Sequence, residues 1–304
     1  MFFTFNIQRK IKWFIYKSAS LLSVIRGYNL LVIILAQYLT SIFILSDKTP
    51  INVVLDLELL CIVLSSVITI ASGYIINNFY DSEKDLINRP HKSKLDRLVS
   101  QQKKLTIYFI FNFAAVIIAS YVSFRAVLFF SVYIFCIWLY SHKLKRITFI
   151  GNLSATALAI LPFFAIFIYY KNYDSVVFIH AIFLMLILFM RELVKDLENI
   201  KGDLANNYNT IPIVYGEKIS KKILFIISTI CISTSIFLIS KCDIGKMTYF
   251  FWFVLSVLII FDVLLFSALT KKQYIILHNL LKLIIVIGVF SISMIKPSIF
   301  IKIF

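Results

Sequence analysis

Residues 57–85 read LELLCIVLSSVITIASGYIINNFYDSEKD. A long, nearly unbroken apolar run, over 57–79, ends directly in an acidic patch. Crossing a bilayer takes about 20 apolar residues, so the run is long enough to span. The patch begins at Asn77 and continues through Asp81, Glu83 and Asp85. Carboxylates set against hydrocarbon are costly unless something cationic joins them. The segment therefore predicts a membrane helix whose end carries a polar task.

The rest of the chain repeats the first half of that pattern. Spanning windows lie near 24–45, 57–79, 105–122, 126–141, 149–170, 175–194, 223–240, 248–269 and 279–296. The 304 residues are 61% hydrophobic and 16% aromatic, with a mean hydropathy of +0.92. Soluble domains hold roughly 45–50% apolar residues. The expectation is an all-α polytopic membrane protein, a nine-helix bundle forming one domain over 1–304. Arg9, Lys10, Lys12 and Lys17 alternate with Ile11, Trp13, Phe14 and Ile15. Residues 1–22 are accordingly expected to lie on the membrane surface as an amphipathic segment. No cleavable signal is expected, because the first long apolar run follows Arg26 and lacks a small-residue cleavage site.

Charge sets orientation. With nine spans, 23 of the 31 Lys and Arg fall on the side of the N-terminus and 7 on the other, with Lys282 inside the last span. Positive charge collects on the cytosolic side, so the N-terminus is predicted in the cytosol and the C-terminus outside, in an inner or cytoplasmic membrane. The formal net charge of +16 follows from this topology, and nucleic acid is not an expected partner. Cys61, Cys136, Cys231 and Cys242 form no CxxC, and the four histidines lack ligand spacing; neither set predicts a metal site.

Acid is scarce, with 15 Asp and Glu in the chain, yet six of them crowd into two short windows. The second is Asp196-Leu197-Glu198-Asn199-Ile200-Lys201-Gly202-Asp203. Asn77, Asp81 and Asp85 are spaced i, i+4, i+8; Asp196, Asn199 and Asp203 are spaced i, i+3, i+7. Each set lines one helix face. Both fall on the predicted cytosolic side, about 120 residues apart, which suggests two pseudo-repeated halves around a central cavity. Mg²⁺ takes one or two carboxylates together with waters and phosphate oxygens, so the two faces suit Mg²⁺ ions gripping a diphosphate. The competing interpretation is a pair of solvated carboxylate clusters neutralised by local Lys and Arg. A diphosphate also wants cations, and Arg26, Arg89, Lys143, Lys145 and Arg146 lie at the same predicted membrane side. Within the spans, Glu192 and Lys195 are expected to pair at i, i+3, and Asp262 is an intramembrane acid.

These residues resemble the UbiA superfamily of intramembrane prenyltransferases over nearly the whole chain. Asn77-Asn78-Phe79-Tyr80-Asp81-Ser82-Glu83-Lys84-Asp85, then Ile87-Asn88-Arg89-Pro90, resembles its first motif. Asp196 to Asp203, leading into Thr210-Ile211-Pro212 and closing on Gly216, resembles the second. Tyr140-Ser141 with Lys143, Lys145, Arg146, Gly151 and Asn152 looks like the family's loop between helices four and five, and Arg26-Gly27-Tyr28-Asn29 like its first-helix opening. The resemblance implies that Asn77, Asp81, Asp85, Asp196, Asn199 and Asp203 hold Mg²⁺ on a polyprenyl diphosphate. Arg26, Arg89 and Lys143 would draw charge off the leaving pyrophosphate, Tyr140 would face an allylic cation, and Asn29, Lys145, Arg146 and Asn152 would bind substrate. The segment 191–203 is most similar to the geranylgeranylglycerol-phosphate geranylgeranyltransferase branch; quinone-precursor prenyltransferases acting on 4-hydroxybenzoate or 1,4-dihydroxy-2-naphthoate are the second choice. A non-catalytic lipid-binding or transport protein is the alternative from another class. The chain departs from the family at Asn78 and Asn199, where acids are usual, at Gly27, and at His91-Lys92-Ser93-Lys94. The two amides lower the charge offered to a metal but keep oxygen ligands.

Overall fold

The computed structural model describes residues 16–172 and 174–295. Among them there are helices and connecting turns but no strand. Nine helices are long and apolar enough to cross a membrane: α1 (Gly27–Thr40, continued by a π-turn over Ser41–Leu45), α2 (Leu57–Tyr80), α3 (Gln101–Ser120), α4 (Phe124–His142), α5 (Ile150–Tyr170), α6 (Ser175–Ala205), α7 (Ile211–Lys241), α8 (Thr248–Ser267) and α9 (Lys271–Ser291). Of the expected interfacial segment, residues 16–24 are helical and the remainder lies outside the described residues.

Local chemistry starts several of these helices. Asp56 accepts from the Glu58 and Leu59 amides at the head of α2. Ser123 caps α4 and Asp174 caps α6, and Thr270 with Gln273 forms a reciprocal capping box on α9. Pro162 sits inside α5 and leaves the Leu158 carbonyl without its usual donor. The Tyr133 hydroxyl donates to that carbonyl at 2.9 Å, and Gln37 Nε2 donates to the Pro162 carbonyl at 2.8 Å. Such repairs are required where no water can reach the backbone.

Two hydrophobic cores divide the bundle. One collects Val24 from the segment before α1 and Ile62, Ile75, Phe130, Tyr133 and Ile166 from the first five spans; the other collects Met190, Leu193, Leu224, Val254, Phe261 and Leu281 from the last four. The outer surface stays apolar, with Phe113, Phe124, Val263 and Leu269 exposed, as lipid contact requires. α6 packs against α5, α7 and α9, and α9 returns to α1, which closes a ring. The ends of α2 and α6 that carry the acidic motifs come together on this ring.

Three helix boundaries differ from the sequence-based expectation, each for a visible reason. α6 runs 11 residues past position 194, to Ala205, because Leu197 is buried and Ile200 packs on the same core as Leu193, continuing the apolar stripe through charged sequence. α9 begins at Lys271, not near 279, because Tyr274, Leu277 and Leu281 bury one face despite their polar neighbours. The span expected at 223–240 belongs to a helix that starts at Ile211, with one irregular residue, Gly216, at φ 81° and ψ 166°. That backbone conformation favours glycine. The polar stretch after α2 is also mostly helical, with short helices Ser82–Asn88 and Pro90–Asp96.

Candidate active site

At the end of α2 the chain bends without losing its hydrogen-bond ladder. Asp81 has φ −92° and ψ 8°, yet its amide still donates to the Asn77 carbonyl (2.9 Å) and the Asp85 amide to the Asp81 carbonyl (2.8 Å). Asn77, Asp81 and Asp85 therefore keep a common side, as their spacing predicts. They line a cavity open to solvent at one side, together with Arg26, Lys84, Asn88, Arg89, Tyr140, Lys145, Asn152, Glu192, Lys195, Asp196 and Asn199. Ten of the 14 site residues expected from the sequence meet there.

The remaining four do not line it. Lys143 is exposed; the 3-10 turn Leu144–Arg146 carries Lys145 inward in its place. Arg146 is also exposed, with its guanidinium 5.2 Å from the centre of the Tyr208 ring. Asn29 donates to the Tyr74 hydroxyl at 3.2 Å, and Arg26 stacks over that same ring at 4.9 Å. Asp203 is fully buried behind the cavity and forms an ion pair with Lys84, which does line it.

The electrostatics are tightly paired. Lys145 Nζ lies 2.6 Å from Asp81 Oδ1 and 3.3 Å from Asn77 Oδ1. Burial alone would push the Asp81 carboxyl up, but the Lys145 and Lys84 ammonium groups, with hydrogen bonds from Lys145 and Tyr208, hold it below the ordinary carboxylate range. Asp85 moves the other way: burial, then the negative charge of Asp81, raise it. On α6, Asn152 donates to Asp196 at 2.7 Å, and Glu192 is held by Lys195 at 2.7 Å, the expected pair, and by Arg191 at 2.9 Å. Arg89 reaches Glu198 Oε1 at 3.3 Å, with His278 Nδ1 on the other oxygen at 3.4 Å. Asn88 joins the halves: its side chain accepts from the Gly202 amide at 3.2 Å, where a β-carbon on Gly202 would collide with it.

The cavity lining carries five cations (Arg26, Lys84, Arg89, Lys145 and Lys195) against four carboxylates (Asp81, Asp85, Glu192 and Asp196). That excess suits an anionic ligand. Among the described residues, no three His, Cys, Asp or Glu side chains gather closely enough to cage a metal by themselves. The donor set does fit a Mg²⁺ that shares its coordination with phosphate oxygens. Asn199 is the clearest sign: its amide nitrogen donates to the Lys195 carbonyl at 2.7 Å, and its buried oxygen has no partner. An orphaned buried oxygen costs stability unless a ligand completes it.

Asn78, one of the two amides found where acids are usual, turns away from the cavity. It accepts from Lys104 Nζ at 2.7 Å and donates to Asp96 at 3.0 Å; Ser23 donates to the same carboxylate at 2.8 Å. This buried knot ties residues 16–24, α2, the Pro90–Asp96 helix and α3 together. The sequence reading also passed over Lys84, Asn88, Glu192, Lys195 and Tyr208 as site residues. Lys84, Glu192 and Lys195 lie within one turn of proposed ligands, so their positions alone were a usable signal. Asp262, the intramembrane acid, accepts from Ser228 at 3.0 Å and does not line the cavity.

Comparison with known proteins agrees with this architecture. Residues 31–276 match the UbiA prenyltransferase family. The chain is 29% identical over 209 residues to the digeranylgeranylglyceryl phosphate synthase of Methanobrevibacter smithii, covering 65% of this chain and 69% of the relative. It is 34% identical over 174 residues to the enzyme of the same name from Thermococcus sibiricus, covering 57% of this chain and 61% of the relative, so the match spans less than two thirds of that protein. Among solved structures, one described as giving insights into digeranylgeranylglyceryl phosphate synthase in membranes superposes with a TM-score of 0.66 at 22% identity, over 92% of this chain and 99% of that one. A UbiA homologue from Archaeoglobus fulgidus bound to GPP and Mg²⁺ also gives 0.66, at 13% identity, over 90% and 99%. The chain belongs to the UbiA prenyltransferase family.

Proposed function

We propose that this protein transfers a polyprenyl group from a polyprenyl diphosphate to a lipid acceptor, with Mg²⁺, at the cytosolic face of an inner or cytoplasmic membrane. The observation that carries the proposal is the convergence of both acidic motifs and five cations on one cavity at the helix ends. Geranylgeranylglyceryl phosphate is the proposed acceptor, supported by the names of the relatives and by the segment 191–203. The 23-to-7 distribution of basic residues supports the cytosolic orientation, and the chain is proposed to work as a single domain.

In this scheme Asn77, Asp81, Asp85, Asp196 and Asn199 would hold the metal, and Asp203 would contribute through Lys84. Bound Mg²⁺ would neutralise diphosphate charge and make it a better leaving group. Arg26, Arg89 and Lys145, already fixed by Tyr74, Glu198 and Asp81, offer cations where negative charge grows. The bond between the first prenyl carbon and the diphosphate oxygen breaks, a bond to the acceptor oxygen forms, and the acceptor hydroxyl passes its proton to the departing pyrophosphate. Tyr140 presents its ring to the electron-poor carbon, and the apolar helices accommodate the isoprenoid tail.

The test is incorporation of label from prenyl diphosphates of several lengths into a panel of acceptors, using membranes that contain the protein. Product with geranylgeranylglyceryl phosphate is expected. Product with 4-hydroxybenzoate or 1,4-dihydroxy-2-naphthoate only would reassign the acceptor, and incorporation into none would favour a non-catalytic lipid-binding or transport role.

A further inference from the structure

We propose that Tyr208 is a positioning residue that couples the two acidic motifs, aiming Asp81 with its hydroxyl and gathering Lys84, Lys145 and Arg146 around its ring. The inference rests on the diphosphate site proposed above. α6 ends at Ala205, and Asn207 then adopts a left-handed conformation with φ 54°. Asparagine tolerates that geometry better than most residues. The turn brings the Tyr208 amide back to the Asp203 carbonyl at 2.9 Å and folds the ring beneath the helix end, where it is 3% exposed.

From there Tyr208 touches Asp81, Lys84, Lys145 and Arg146. Its hydroxyl donates to Asp81 Oδ1, in the first motif, at 2.9 Å. Lys84, the partner of Asp203, lies 4.3 Å from the ring centre. Arg146 lies at 5.2 Å and Lys145 at 5.9 Å. Three cations around one ring gain attraction from its quadrupole. The Tyr208 hydroxyl and the Lys145 ammonium both sit on Oδ1, which fixes the carboxylate plane and leaves Oδ2 for a metal.

Inorganic pyrophosphate and Mg²⁺, titrated calorimetrically into the purified full chain in detergent, test this without any acceptor. Tyr208→Phe deletes the hydroxyl and keeps the ring. The expected result is a roughly tenfold rise in the Mg²⁺ concentration for half-saturation, the loss of one hydrogen bond to a charged group. Pyrophosphate affinity at saturating Mg²⁺ should stay within about twofold, while the melting temperature falls modestly, as the loss of one buried hydrogen bond requires. Tyr208→Leu removes the ring as well and should weaken pyrophosphate at every Mg²⁺ concentration. Unchanged or tighter Mg²⁺ binding in Tyr208→Phe overturns the proposal, as does a parallel loss of Mg²⁺ affinity, pyrophosphate affinity and melting temperature, which would mark a merely structural residue. Tyr208→Phe decides the matter even where Tyr208→Leu fails to fold. Absence of any Mg²⁺–pyrophosphate binding by the unmodified protein would instead remove the diphosphate site itself.

Discussion

Lys145 offers the sharpest perturbation, because two opposite effects follow from one substitution. Its ammonium is almost fully buried, 2.6 Å from Asp81 Oδ1 and 3.3 Å from Asn77 Oδ1. Lys145→Met keeps the length of the side chain and removes the charge. Breaking a buried ion pair on one side costs about 3–5 kcal/mol, so the metal-free protein should melt at a clearly lower temperature. Asp81, freed of its partner, should then bind Mg²⁺ alone more tightly. Pyrophosphate should bind more weakly, since a hydrogen bond from a charged donor, about 1.5–3 kcal/mol, is gone; that is roughly a 10- to 150-fold loss. Lys143→Met is the control: its side chain is exposed and should change each quantity by less than about 0.5 kcal/mol. Calorimetry and thermal melting in detergent read all three effects. Equal losses in the two variants, or weaker binding of Mg²⁺ alone in Lys145→Met, would refute the assignment of Lys145 as the inward cation.

Asn78→Asp would restore the acid usual in the family, yet it should not tighten Mg²⁺, because the side chain faces Asp96 at 3.0 Å; a loss of about 1–3 kcal/mol of stability is expected from melting curves. Tyr133→Phe leaves the Leu158 carbonyl beside Pro162 without a donor and should cost about 1–3 kcal/mol by the same measurement, with no change in Mg²⁺ affinity. At the opposite end of α2, burial acts to raise Asp56, but hydrogen bonds from the Leu59 amide, Tyr169 and Lys48 leave it lowered. Its contribution is therefore complete above its unfolded value of about 3.9 and is lost as pH falls through the lower folded value. The melting temperature of the unmodified protein should drop more steeply below that range than that of Asp56→Asn.

The fold was largely legible because spanning a membrane demands long apolar runs, and these survive reading without neighbours. The errors lie where tertiary burial rather than hydropathy extends a helix: Leu197 and Ile200 carry α6 through Lys195, Asp196 and Glu198, and Tyr274 and Leu277 carry α9 through Lys271 and Lys272. The carboxylate and amide faces were legible from spacing, and the slight bend at Asp81 does not disturb them. The choice between Lys143 and Lys145 was not, since it depends on the 3-10 turn after α4. Tyr208 was hidden for a related reason: nothing in its own identity marks it, and only the left-handed Asn207 turns it inward. The Asn206-Asn207 pair after an amphipathic run is the signal that would have found that turn. Asn78 shows the converse, a residue whose motif position suggested a ligand and whose contacts make it structural.

The central claim is that both acidic motifs serve one Mg²⁺-dependent transfer. The direct measurement is release of pyrophosphate together with prenyl incorporation from geranylgeranyl diphosphate into geranylgeranylglyceryl phosphate by the purified protein. Turnover that requires Mg²⁺, stops with a chelator and is abolished in the Asp81→Ala, Asp203→Ala double variant is the predicted result. Turnover that persists with the chelator or in the double variant would contradict it.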